Sequence, residues 1–284
     1  MKKILIPTDF SEVADRALEV AVNISRKVDA QLIVLHVIEH PSGGTFNASG
    51  EINLPSGEEG LYMIKLVEKA KRDMAGLMER DLFEGVNAKQ ELQIGNPFHG
   101  IRDIVTEHDV DLIVMGTLGA SGLEEILVGS NAEKVVRHAA CPVLSVTDRV
   151  ENFDFKDIVF ATGMTDEEAA YVDVVKTTQA MYGATVHIVR INTPNNFQTD
   201  RDSLQQLNEF ATKVGFENFT VNVFNDVSEE EGIVYFSESI NADMIALATH
   251  GRTGFAHLLS GSIAEDVVNH SKRPVLTFNI KKAK

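Results

Sequence analysis

Tryptophan is absent from the 284 residues, and Cys141 is the single cysteine. One thiol closes no internal disulfide and builds no multi-thiolate metal site, which points to a reducing compartment. Cations are scarce as well: 26 Lys and Arg stand against 42 Asp and Glu, a formal net charge of -16. Such a surface repels phosphate backbones and anionic lipid headgroups, so neither nucleic acid nor a membrane surface is an expected partner. No apolar run approaches the roughly 18 residues of a membrane span. The opening MKKILIPTDF has too short an apolar stretch, broken by Pro7, for a signal peptide. A soluble, cytoplasmic protein is expected. With 44% apolar and 24% charged residues the composition is that of an ordinary folded chain. Its length accommodates two domains of about 140 residues each.

What the chain does have is a repeat. The run from Asp111 to Leu144 recurs from Asp243 to Leu276, 132 residues later, without a gap and with close to half the positions identical. At the front, KKILIPTDFS matches KDIVFATGMT and QLIVLHV matches TVHIVRI, both 154 residues apart. The two offsets differ because the first copy carries extra residues, for which the Gly-, Ser- and Pro-rich segment Pro41–Gly60 is the candidate. The chain therefore reads as two domains, 1–148 and 155–280, joined by a polar stretch without apolar periodicity.

Each copy alternates short β-rich runs with amphipathic ones. The first reads as strand KILIPT, helix Glu12–Lys27, strand QLIVLHVI, helix Leu61 to about Phe83, and strand AKQELQI. A helix after Pro97, strand DLIVMG, a helix from Ser130 and strand PVLSVT complete it. Runs such as LIVLHV are apolar on both faces, as in a parallel sheet covered by helices on each side. The fold class expected is α/β, two tandem doubly wound parallel-sheet domains. Ligands of such sheets sit beyond the carboxyl ends of the strands, where strand order reverses.

In the first copy those ends carry Pro7-Thr8-Asp9, His36-Val37 and Gly116-x2-Gly119-x9-Gly129-Ser130. Singly, each has a plain structural reading: the glycines as turn formers, Ser130 as an N-cap, Asp9 as a turn cap. Jointly, glycines that let backbone amides approach, followed by a helix N-terminus, make an anion site. Asp9 offers an acceptor for a ribose hydroxyl or an amine, and Val37 offers peptide groups that can read a purine edge. The set fits a nucleotide.

PTDFS at Pro7–Ser11, LHVIE at Leu35–Glu39, GNP at Gly95–Pro97 and the spaced glycines resemble the universal stress protein family, in its ATP-binding branch. The resemblance spans both copies. It implies a ligand of ATP, or AMP or ADP, the triphosphate with Mg2+. It places Asp9 at the ribose or adenine, Val37 at the adenine through its backbone, and Gly116, Gly119, Gly129 and Ser130 at the ribose-phosphate end. Pro7, Thr8 and Asn131 would line the pocket. It also implies that the last strands pair across a two-fold axis, so the two copies would form an internal pseudo-dimer, with a homodimer as a further assembly. One departure is local: the family's ATP binders often carry a Lys or Arg after the second glycine, where this chain has Ala120.

The second copy keeps Gly251, Gly261 and Ser262 as candidates but replaces Asp9 by Gly163, Gly116 by Ala248, Pro7 by Ala161 and Val37 by Ile191. GNP has no counterpart there, and Glu229–Glu231 take the neighbourhood. Catalytic motifs are missing: there is no G-x4-G-K-S/T phosphate loop and no G-x-S-x-G elbow. His36 and His40 lie in a strand and its exit, a spacing that does not converge on a metal. Cys141, just before Pro142, reads as a small buried apolar residue. No catalytic residue and no metal ligand is assigned. The expected function is an adenine-nucleotide-binding regulatory protein of the stress response with unidentified protein partners. An ATP-using enzyme of the same superfold and a nucleotide-independent scaffold stand as alternatives.

Overall fold

The computed structural model describes residues 1–39, 58–117, 129–150, 152–169, 172–249 and 263–279. The first copy runs β1 (Lys3–Pro7), α1 (Glu12–Val28), β2 (Gln31–Ile38), α2 (Glu58–Met78), β3 (Ala88–Ile94), α3 (Pro97–His108), β4 (Leu112–Gly116), α4 (Ser130–His138) and β5 (Val143–Val146). The second runs β6 (Asp157–Ala161), α5 (Asp166–Ala169), α6 (Val172–Tyr182), β7 (Thr185–Asn192), α7 (Asp200–Val214), β8 (Phe219–Asn225), α8 (Glu229–Ser239), β9 (Met244–Thr249), α9 (Ile263–His270) and β10 (Val275–Asn279). The expected helix Leu61–Phe83 is a correction in detail. It starts three residues earlier and stops at Met78, and a separate 3-10 turn, Asp81–Phe83, tucks Phe83 into the core.

The helix-to-strand returns share one device. Asp29, Asp109, Gly183, Gly215 and Asn241 adopt positive φ, between 49° and 75°. The next amide then reaches back five residues, as from Ala30 to Ser25, Val110 to Val105 and Phe216 to Ala211. This satisfies an orphan carbonyl at the helix end and delivers a buried side chain to the start of the strand.

The strands form one sheet in the order β3-β2-β1-β4-β5-β10-β9-β6-β7-β8. Every neighbouring pair is parallel except β5 with β10, which is antiparallel. Leu144 pairs with Leu276, its own counterpart in the repeat, so equivalent residues face each other as in an isologous contact. The last strand of each copy thus lies at the centre of the sheet, and β3 and β8 form its outer edges. Helices cover both faces. One core gathers α1, α2, α6 and α7 around Ile4, Val34, Phe160 and Ile188. The other gathers α3, α4, α8 and α9 around Leu5, Ile33, Val159 and Ile245.

Contacts between the copies reinforce the strand pair on each face. Lys27 of α1 lies 4.8 Å over the Tyr182 ring of α6, whose hydroxyl reaches Asn23 Oδ1. On the other face Arg137 of α4 forks onto both carboxylate oxygens of Glu265 in α9, which is 4% exposed, and also holds Glu133. At the amino ends of the strands, Asp111 Oδ2 accepts the Lys2 and Lys3 amides. Asp243 accepts those of Lys156 and Asp157 in the same way.

Candidate functional site

Where β1 ends, the chain turns at Phe10, with φ of 62°, under four local constraints. Thr8 donates its amide to Leu35 O at 2.8 Å, and Thr8 Oγ1 accepts the Phe10 amide at 3.0 Å. Asp9 Oδ1 accepts the Ser11 amide at 3.0 Å, while Ser11 Oγ caps α1 through the Ala14 amide at 3.2 Å. His36 Nδ1 lies 2.8 Å from Thr8 O, so that nitrogen carries the proton and donates it. The Phe10 ring rests 4.6 Å from the imidazole. The result is a fixed loop that keeps Thr8 buried and presents Asp9 to the outside.

Peptide groups along β2 alternate sides. The Gln31 amide and the Leu35 carbonyl bond toward β1, whereas the Leu32 amide and the Ile38 carbonyl bond toward β3. Val37 therefore turns its N–H and C=O toward β1, but that ladder stops at Pro7 opposite Leu35. Its peptide edge faces the opening beyond β1. Behind it α3 approaches at Gly100, where a Cβ would lie 2.9 Å from Val37 Cγ2.

Gly116 ends β4 under similar crowding: a Cβ there would sit 2.9 Å from Val13 Cγ1 and 3.2 Å from the Ala14 nitrogen. Because backbone cannot give way as a side chain can, Gly116→Ala is expected to cost about 1–3 kcal/mol of stability, read as a lower denaturant midpoint. A midpoint equal to wild type would show that α1 yields freely.

From β4 the Thr117 amide bonds Val146 O, and Gly129 returns to donate its amide to Thr117 O at 2.8 Å. This stitch sets the start of α4 beside the end of β4. Ser11, Asn96, Thr199 and Ser228 each cap their helices through a side chain; Gly129, the N-cap of α4, supplies none. The first bond within α4 is Glu133 N to Gly129 O, so the amides of Ser130, Asn131 and Ala132 have no helical acceptor. Ser130 is exposed and Asn131 half-buried.

Pro7, Thr8, Asp9, Val37, Gly116, Gly129, Ser130 and Asn131 are thus gathered at the carboxyl ends of β1, β2 and β4, where β1 and β4 part toward opposite wings of the sheet. Gly119 and Ala120 lie outside the described residues, as do Gly251, Gly261, Ser262 and His40. Sequence reasoning missed His36 as the brace of the Thr8 loop. It also missed Gly100, although its repetition as Gly232 at the same 132-residue offset was a readable signal; a Cβ on Gly232 would lie 2.5 Å from Ile191 Cγ2.

The second copy has a different interior. Met164 repeats the Phe10 turn with φ of 61°, and Thr162 Oγ1 accepts its amide at 2.8 Å. Glu168, 4% exposed, lies beneath the loop. Arg190 stands where His36 stands, and its Nη2 donates to Asn196 O. Asn196 in turn donates to Glu229 Oε1. Burial pushes the Glu229 carboxyl above its ordinary range, against the pull of Arg190. The expectation that GNP has no counterpart needs one correction: Ser228 caps α8 as Asn96 caps α3, so the capping role persists without the motif.

Among the described residues no group of three or more His, Cys, Asp or Glu could hold a metal. No described helix is long and apolar enough to cross a membrane. Cys141 is half-buried rather than fully buried, and burial together with Asp111 pushes its thiol up to about 12. At pH 8 it is expected to react with iodoacetamide about a thousandfold more slowly than a free thiol, followed by intact mass; rapid single labelling would contradict this.

Two repeated doubly wound halves joined through their last strands define a tandem α/β class. The universal stress protein family matches twice, over residues 1–147 and 154–279, and the chain belongs to that family. A universal stress protein of Methanocaldococcus jannaschii is 36% identical over 151 residues, covering 51% of this chain and 81% of its own length. One of Bacillus subtilis is 33% identical over 154 residues, covering 51% of this chain and 97% of its own. A solved universal stress protein from Archaeoglobus fulgidus covers 98% of both chains with a TM-score of 0.76 at 23% identity, a likeness of fold.

Proposed function

We propose that the first copy binds an adenine nucleotide and that the chain acts as a nucleotide-responsive regulator in the stress response. The observation that carries this reading is the start of α4. Where α1, α3, α7 and α8 are each capped by a side chain, α4 opens on Gly129 without one, and the Gly129 amide ties its start to Thr117 beside the end of β4. The N-terminus of a nine-residue helix whose first amides have no helical acceptor favours an anion by its dipole and by those N–H groups. The Val37 peptide edge offers a donor and an acceptor to an adenine, and exposed Asp9 an acceptor to a ribose hydroxyl. ATP, ADP and AMP share these features. Magnesium, where it accompanies ATP, is carried by phosphate oxygens and water.

Isothermal titration of the full chain with ATP, with and without Mg2+, tests the reading. One site per chain is expected, with ATP recovered intact on timed product analysis. Absence of binding for ATP, ADP and AMP alike would refute it, and steady release of ADP would move the chain to the enzyme class.

A further inference from the structure

The two copies hold the same backbone group with carboxylates from different places. In the first, the Ser11 amide is held by Asp9 Oδ1 at 3.0 Å; in the second, the equivalent Thr165 amide is held by Glu168 Oε2 at 2.9 Å. Gly163 stands at the place of Asp9, and Glu168 at the place of Ala14. The carboxylate has moved along the chain and from an exposed position to a buried one.

Part of its bonding is a capping box: the Glu168 amide donates to Thr165 Oγ1 while its carboxylate takes the Thr165 amide. Two further donors fall outside any box. The Thr162 hydroxyl donates to Oε2 at 3.0 Å, and the Gly163 amide donates to Oε1 at 3.2 Å. These belong to the end of β6, the counterpart of Thr8 and Asp9 at the end of β1. Among the described residues of the first copy, no acceptor takes the Thr8 hydroxyl proton.

Position matters equally. A Cβ on Gly116 would lie 3.2 Å from the Ala14 nitrogen, so residue 14 abuts the end of β4 at the crevice. β6 and β9 pair as β1 and β4 do, which puts Glu168 at the matching crevice of the second copy. Glu229 adds a second carboxylate close enough to interact with it.

We propose that Glu168 is the residue that makes the second copy refuse a nucleotide, because its carboxylate takes from inside the chain the Thr162 hydroxyl, whose counterpart on Thr8 has no acceptor among the described residues of the first copy. It fills the crevice with negative charge where phosphates or ribose would enter. This rests on the reading of the first copy as the nucleotide site.

Transplanting the arrangement tests it. Full chains carrying Asp9→Gly alone and Asp9→Gly with Ala14→Glu are titrated with ATP, each checked for wild-type far-ultraviolet dichroism. The added glutamate is expected to weaken binding by at least about tenfold beyond Asp9→Gly, the worth of charged hydrogen bonds withdrawn from a ligand. Equal affinity of the two variants would overturn the proposal. A readout without nucleotide guards against failure of the site reading itself. In Glu168→Ala, or Glu168→Gln should the alanine variant not fold, the Gly163 amide proton is expected to move upfield in heteronuclear correlation spectra. Sodium formate, the carboxylate without its tether, should return it toward the wild-type shift. A Gly163 amide indifferent to both the substitution and formate would overturn the occupancy of the donors by Glu168. A wild-type chain that binds no ATP while the formate effect holds would sink the nucleotide reading of the first copy instead.

Discussion

Arg137→Ala is expected to destabilise the whole chain by about 3–5 kcal/mol, measured by equilibrium chemical unfolding. The guanidinium reaches across from α4 to α9 and meets both oxygens of Glu265 while also holding Glu133. Glu265 is 4% exposed, so removing its partner leaves a carboxylate in a place that water does not reach. The pair also holds Arg137 protonated more firmly than usual, chiefly through the Glu265 hydrogen bond. Lowering the pH should narrow the deficit, because a buried carboxyl that has lost its guanidinium takes up a proton. Replacing both residues by leucine should recover most of the loss, since the cost lies in the orphaned charge rather than in the missing pair. Arg16→Ala, which breaks an exposed pair with Glu19 on α1, is the matched control and should leave the midpoint nearly unchanged. A loss from Arg137→Ala of less than about 1 kcal/mol would show that water already relieves the site.

The second large effect concerns the ligand. Asp9→Ala combined with Gly119→Val is expected to lower ATP affinity by about a hundredfold or more, roughly tenfold from each change. Asp9 is the exposed carboxylate at the end of β1. Gly119 belongs to the spaced glycine motif, which the nucleotide reading assigns to close backbone approach of a phosphate, and a valine side chain is expected to prevent that approach. Far-ultraviolet dichroism of the double variant should match wild type, because Asp9 is exposed and Ser11 Oγ still caps α1 through the Ala14 amide. The matched change in the other copy, Gly251→Val, should leave affinity within about twofold, since that crevice carries Glu168. Unchanged affinity in the double variant would remove the first copy from consideration as the nucleotide site.

Much of this was legible in the residues alone. A repeat at two fixed offsets gives two copies of one unit. Runs apolar on both faces, alternating with amphipathic stretches, give a parallel sheet between helices. The carboxyl ends of β1, β2 and β4 could be named as the place to look because ligand position in such sheets follows from strand order. The spaced glycines could be found because a glycine requirement is written in the chain itself. Gly116 illustrates the limit, for its lack of a Cβ is required by α1 as well as suited to a ligand.

What the sequence hid were relations between distant residues. Glu168 reads as one more acid in TDEEAA, and only the folded loop turns it toward Thr162 and Gly163. His36 reads as a strand residue until the end of β1 brings Thr8 O to its Nδ1. Arg137 and Glu265 lie 128 residues apart, and nothing local couples them. Local pattern and repetition thus determined the two-copy α/β chain and its candidate nucleotide loop, because periodicity and glycine spacing are properties of neighbours along the chain. The register that sets Leu144 against Leu276, and the hold of buried Glu168 on Thr162 and Gly163, were decided by tertiary structure alone, because both depend on which groups are left facing each other once the chain has packed.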